Sequence, residues 1–253
     1  MWASRPGATR CREMLAWNHR LAEKISAPGF ALEPFQALQQ WQRERLAESY
    51  SDLMSQESYR PACEFFLEEL YGGLDFQERD QEVARVMSVM VKFLPGNALH
   101  IMADAFELQA LTLEFDMEMA ERLDSTGAAE LDIASYGLIY RSCGDRQLRE
   151  RQILLIREVG NELAKLVHKP IVVRLIRLMR GPAYAAGFGA LQAFLESGVL
   201  SFRQLEDPVY FVNTIYEREW LSMQKLFAGD AEPFLVFSAN DALIPEPGAG
   251  SQT

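Results

Sequence analysis

The chain has 253 residues, of which 49% are hydrophobic and 24% charged. That is enough length and apolar content to bury a core, and it argues against wholesale disorder. The net charge of −11 opposes generic association with nucleic acid or an anionic membrane, because both are polyanions. Three cysteines, Cys11, Cys63 and Cys143, are odd in number, widely spaced and without a CxxC pair. They argue against a disulfide framework or a structural zinc site and for a reduced, cytoplasmic setting.

Residues 1–9 contain no apolar stretch of the secretory type, so they are expected to be a flexible N-terminus. Helical periodicity then runs through the chain, and sustained alternation or a hairpin dipeptide is not found. It predicts helices over 10–26, 34–55, 60–71, 78–94, 98–123, 131–143, 146–168, 170–180, 182–197 and 207–227. Pro34, Pro61, Pro170, Pro182 and Pro208 fall near predicted starts, where a missing N–H costs nothing. Asn97, Asp145 and Asp207 are candidate N-caps. Gly72-Gly73, Gly144, Gly181 and Gly198 stand where C-terminal caps are needed. The most apolar stretch, 170–200, is broken by Arg174, Arg177, Arg180 and Pro182, so it reads as core helices and not a membrane span. From residue 240 the composition turns to Pro, Gly and Ser, and 230–253 is expected to be an extended or disordered tail. The predicted architecture is all-α: one multi-helix bundle of about ten helices over 10–229.

The predicted helix over 98–123 carries two apolar faces. Leu99, Met102, Phe106, Ala110, Leu113 and Met117 share one face; Ile101, Ala105, Leu108, Phe115 and Met119 share another. A helix apolar on two sides is packed on two sides, which makes it the central helix. Between the faces runs a ridge of His100, Asp104, Glu107, Glu114, Glu118 and Glu121. Its carboxylates repel one another by a few tenths of a kcal/mol per i,i+4 pair.

Charge is divided along the chain. Residues 1–140 hold 12 Lys/Arg against 23 Asp/Glu, residues 141–181 hold 10 against 4, and residues 182–253 hold 3 against 9. The basic block folds against the chain's own acidic helices or meets an external acidic partner, protein or phosphate-bearing. It contains neither Phe nor Trp, so base stacking has no platform and nucleic acid is disfavoured. Glu107 and Glu114, almost two turns apart, are expected to face this block, with Arg174 or Arg177 among their partners.

Residues 65–71 read FFLEELY. This heptapeptide, with RDQEVARVM over 79–87 and HKPIVVRLIRLMRGPA over 168–183, resembles the bacterial FFLEELY-motif proteins. The likeness covers about residues 35–229. It implies a bacterial source and carries over no catalytic residue, since the family has no established activity. Physically, Phe65 and Phe66 are expected to enter the core, while Glu68 and Glu69 face water or a basic partner.

Complete catalytic signatures are not found. The residues three before His19, His100 and His168 are Ala16, Asn97 and Lys165, so the ExxH pairs of helical di-iron sites are missing. HExxH, DDxxD, a phosphate-cradling GxxxxGK[ST] loop, GxGxxG and GxSxG are missing too. Neither a metal nor a resident cofactor is expected. His100 with Asp104 at i,i+4 is the one suggestive pair, suited to orienting an imidazole or to an axial haem ligand. The small residues over 183–193 either allow close helix packing or leave room for an apolar ligand against Phe188 and Phe194.

The reading that follows is a non-enzymatic protein-interaction module with segregated acidic and basic surfaces. Its expected partner is a protein or a second copy of the chain. Glu68, Glu69, Arg174 and Arg177 are its candidate contacts. The alternative is a helical protein binding a small apolar ligand or haem near His100, Asp104, Glu107, Glu114 and Phe188. A weaker alternative is an enzyme using the carboxylate ridge.

Overall fold

The computed structural model describes residues 6–69, 96–126, 131–187 and 189–234. Among them the fold is all-α, with ten helices: α1 (Pro6–Ile25), α2 (Leu32–Ser49), α3 (Ser51–Met54), α4 (Arg60–Glu69), α5 (Gly96–Thr126), α6 (Ile133–Cys143), α7 (Arg146–Val167), α8 (Pro170–Ala185), α9 (Gly189–Arg203) and α10 (Pro208–Ala228). The helix predicted over 78–94, the RDQEVARVM stretch, the Gly72-Gly73 stop and most of the predicted tail lie outside the described residues.

Caps explain several boundaries. Asp145 starts α7 by accepting from the N–H groups of Gln147 and Leu148, and Asp207 starts α10 by accepting from Val209 and Tyr210. Asp132 and Ser135 form a reciprocal capping box at α6. Gly229 ends α10 at φ 77°, the left-handed conformation that glycine adopts without strain.

Several boundaries differ from the sequence expectations. Residues 6–9, expected in the flexible terminus, form the first turn of α1. Residues 230–234 pack: the Phe234 ring lies 6.0 Å from Trp41 and 5.9 Å from Tyr136. Gly181 and Pro182 do not divide two helices; both lie within α8. Proline removes the bond to the carbonyl four residues back, that of Leu178, but this stretch of α8 is exposed, so water can satisfy the carbonyl. Gly198 is no cap either. It lies inside α9, where a Cβ would stand 2.8 Å from the Phe65 ring, so glycine serves close packing.

Helix α5 is central, as its two apolar faces predict. It packs against α1, α2, α6 and α7. Its buried residues Leu99, Ala103, Ala110, Leu111, Phe115, Met117 and Met119 meet different neighbours around its circumference. A second apolar cluster joins α4, α9 and the start of α10. There Phe65 and Phe66 of the FFLEELY segment stack among Phe194, Phe202 and Phe211. Helix α10 spans both clusters, with Phe211 and Val212 in one and Met223 and Leu226 in the other. Helix α8 sits at the edge, packed mainly on α9 and only slightly on α7.

Candidate functional site

The N-terminal half of the carboxylate ridge is paired. Arg10 of α1 donates to Asp104 and to Glu107. Arg151 of α7 forks onto Glu107, with Nε to Oε1 at 3.0 Å and Nη2 to Oε2 at 3.1 Å, and its other nitrogen donates to Glu158 at 3.0 Å. Partial burial works against ionisation of Glu107, but the hydrogen bonds from Arg151 and Arg10 outweigh it and hold the carboxyl below its usual range. The expected partners Arg174 and Arg177 do not take this role. Glu107 does meet the basic block, but through Arg151, because α7 runs beside α5 and α8 does not. Glu114 has no ion pair with a described residue. Beside it, partial burial and then the Glu114 charge push the Glu118 carboxyl up. His100 lies on the exposed side of α5, with its ring close to Gly7.

A buried polar centre lies deeper, between α2, α5 and α7. The Asp116 carboxylate, 2% exposed, accepts from Gln42 at 3.1 Å and Gln39 at 3.3 Å. Burial pushes its carboxyl up to about 6, against those two hydrogen bonds and the charge of Arg149. Arg149 is equally buried and is held by rings: its guanidinium lies 3.7 Å from the Phe115 centroid and 4.2 Å from that of Tyr140. The Gln42 Oε1 and Arg149 Nε atoms have no hydrogen-bond partner among the described residues. Two further buried forks tie α10 to the α2–α3 segment. Arg218 grips Asp52 at 2.8 and 2.7 Å, and Arg45 grips Glu219 at 2.7 and 3.2 Å.

The basic block therefore splits. Up to α7 it is consumed internally. Arg141 donates to the Leu226 carbonyl at the end of α10, Arg149 and Arg157 lie over aromatic rings, and Arg146, Arg151 and Lys165 meet glutamates. On α8 only Arg180 is paired, to Glu196 of α9 at 3.0 Å. Lys169, Arg174 and Arg177 are exposed and have no ion pair with a described residue. Their surroundings in sequence explain this, since residues 163–195 contain no Asp or Glu. The same exposed side of α8 carries Ile171 and Leu178, 70% and 74% accessible. The two are seven residues apart, so they project together, with Arg174 beside them.

Burial pushes the Cys63 thiol up to about 12 and the Cys11 thiol up to about 11, so neither is a thiolate at neutral pH. The Asp104 and Glu107 carboxylates are occupied by arginines. Among the described residues no group of three His, Cys, Asp or Glu could hold a metal ion. No helix among them is long and apolar enough to cross a membrane.

The structure thus separates the residues singled out from sequence. Asp104 and Glu107 come together with Arg10 and Arg151. Arg174 and Arg177 come together with Ile171 and Leu178 elsewhere. Glu68 is exposed on α4; the Glu69 side chain and Phe188 lie outside the described residues. Sequence reasoning missed Asp116, Arg149, Asp52 and Arg218. One signal was available: Asp116 stands between Phe115 and Met117, a lone acid on an otherwise apolar side of the central helix.

The chain matches the family model described as a domain of unknown function (DUF8198) over residues 25–233, and it belongs to that family. No curated protein and no solved structure matches it.

Proposed function

We propose that this member of a family without assigned activity is a non-enzymatic protein-interaction module, and that its docking face is the exposed side of α8. One observation carries the reading: Ile171 and Leu178 stand exposed beside Arg174 and Arg177, whose charges are not spent on carboxylates of the described chain. Leaving an aliphatic side chain in water forgoes about 1.5–3 kcal/mol of burial, and unpaired guanidiniums favour an acidic neighbour. The partner that fits is an amphipathic acidic helix, with leucine-like residues against Ile171 and Leu178 and negative charge against the arginines. A second copy of this acidic chain can supply the same chemistry. The reduced thiols and the FFLEELY likeness support a cytoplasmic protein of bacterial source. The carboxylate ridge and Glu68 play no part in the reading.

The test is a photo-crosslinking residue at position 178 in the full chain, with the same residue at exposed Leu138 as control. A discrete adduct at 178, missing at 138 and lost when Arg174→Glu and Arg177→Glu are added, supports docking. Adducts that are equal at both positions, or unchanged by the charge reversals, refute it.

A further inference from the structure

A shallow groove of about 220 Å³ opens where α7 ends, α8 begins and α9 ends. It is lined by His168, Pro170, Val173, Arg174, Arg177 and Arg203. Arg203 comes from α9, on the flank of α8, so three elements bring three guanidiniums and an imidazole to one concavity. Among the described residues no carboxylate lines it. The nearby acids are engaged elsewhere: Glu162 with Lys165, Glu196 with Arg180, and Asp207 with the α10 amides. Glu206, also exposed, is not among the lining residues. Arg174, Arg177 and Arg203 have no ion pair with a described residue, so the groove gathers positive charge that the described chain leaves unneutralised.

We propose that this groove binds a phosphoryl group, presented on a phosphorylated side chain of the protein docked on α8. The ligand class follows from counting. A carboxylate offers two oxygens and one charge, too few for three guanidinium forks. A phosphomonoester offers three terminal oxygens and nearly two charges, and guanidinium is the group best matched to it. The lining disfavours a nucleotide. The groove accommodates a phosphoryl group and its ester, and no Phe, Tyr or Trp is among its lining residues to stack a base. The protein source follows from position. Ile171 and Leu178 continue the surface along α8 and suit the apolar residues that flank a modified side chain. A phosphoinositide membrane would have to accept a chain of net charge −11, which a lipid surface of the same sign repels.

The inference rests on the docking reading, and Arg203 allows the two to fail separately, because it lies on α9 outside the docking face. The minimal probe is N-acetyl-phosphoserine methylamide, titrated into the full chain with the arginine Nε–Hε resonances observed by NMR. The N-acetyl-glutamate analogue is titrated in parallel. The expected result is saturable shifts at Arg174, Arg177 and Arg203 with the phosphorylated probe, at least tenfold weaker with the glutamate analogue. Arg203→Gln should weaken the phosphorylated probe about tenfold, while Leu138→Ser, on α6, leaves it unchanged. Circular dichroism and thermal melting establish that both variants are folded. Equal shifts with both probes, or shifts indifferent to Arg203→Gln, overturn the phosphoryl site. Vesicles of phosphatidylcholine containing phosphatidylinositol 4-phosphate complete the comparison. Tighter binding to them than to the free probe, lost in Arg203→Gln, overturns the protein source in favour of a lipid. Loss of the position-178 adduct with phosphoserine binding retained would refute the docking face and leave the groove standing.

Discussion

Asp116 is the place where the fold runs against its own stability, and Asp116→Asn should reveal it. The carboxyl ordinarily ionises near 3.8, and in the folded chain near 6. Between those values the folded state holds a proton that the unfolded state has released, so stability falls as pH rises from about 4 to about 6. Above 6 both states are ionised and the cost is complete. At about 1.4 kcal/mol per unit it approaches 3 kcal/mol near pH 7.5 and is about 1 kcal/mol at pH 4.5. Asparagine keeps the shape and removes the charge. Its amide can donate to Gln42 once the Gln42 side-chain amide turns over and presents Oε1 in place of Nε2. One influence opposes the gain, because Arg149 loses a nearby anion. That is the weakest of the effects acting on Asp116, and Arg149 keeps its contacts with Phe115 and Tyr140. Urea denaturation at pH 7.5 should therefore find Asp116→Asn more stable than wild type by about 1–3 kcal/mol, with the gain about 2 kcal/mol smaller at pH 4.5. A variant that is destabilised at both pH values, or offset equally at both, would refute the argument. It would mean that the two glutamines and Arg149 fully compensate the buried charge.

Other changes test the ion pairs and the packing. Glu107→Ala should cost about 1–2 kcal/mol by chemical denaturation, since Arg10 and Arg151 are about a third exposed and can rehydrate. Glu114→Ala should stay within about 0.5 kcal/mol in the same assay. Asp52→Ala leaves Arg218 buried without its fork, and a loss of about 3–5 kcal/mol is expected in thermal or urea unfolding. Gly198→Ala gains about 1 kcal/mol of helix propensity, but its methyl would meet the confined Phe65 ring. A net loss of about 1–2 kcal/mol should appear as a lower Tm.

Much of the fold was legible because caps and periodicity are local. Asp145 and Asp207 start their helices where the sequence places them, and the two apolar faces of 98–123 predict the central position of α5. Gly181 and Pro182 misled for a physical reason. Their signal is also local, but exposure lets water satisfy what proline leaves open, so α8 continues. Gly198 misled differently, because only the approach of Phe65 from α4, far away in sequence, says why glycine is needed. The site was half legible. Spacing shows that Glu107 belongs to a ridge and that the basic block is a unit. It cannot show which helix lies beside α5, and that decides between Arg151 and Arg177.

The break at His168–Pro170 explains how one basic block acquires two roles. As far as Val167 the chain lies against α5 and α10, whose carboxylates, rings and terminal carbonyls absorb Arg151 and Arg157 of α7 and Arg141 of α6. Proline then starts a new helix that packs on α9, and α9 carries a single acid, Glu196. That acid reaches Arg180 and leaves Arg174 and Arg177 without an ion pair among the described residues. Solvation alone could accommodate those charges, since exposed arginines are common. Solvation gives no reason for Ile171 and Leu178 to stand on the same side, because polar residues there would cost the fold nothing. Charge alone would suit a solubilising face, and apolar exposure alone a packing defect. Their coincidence on one helix at the edge of the bundle is what favours a partner that is acidic and apolar at once.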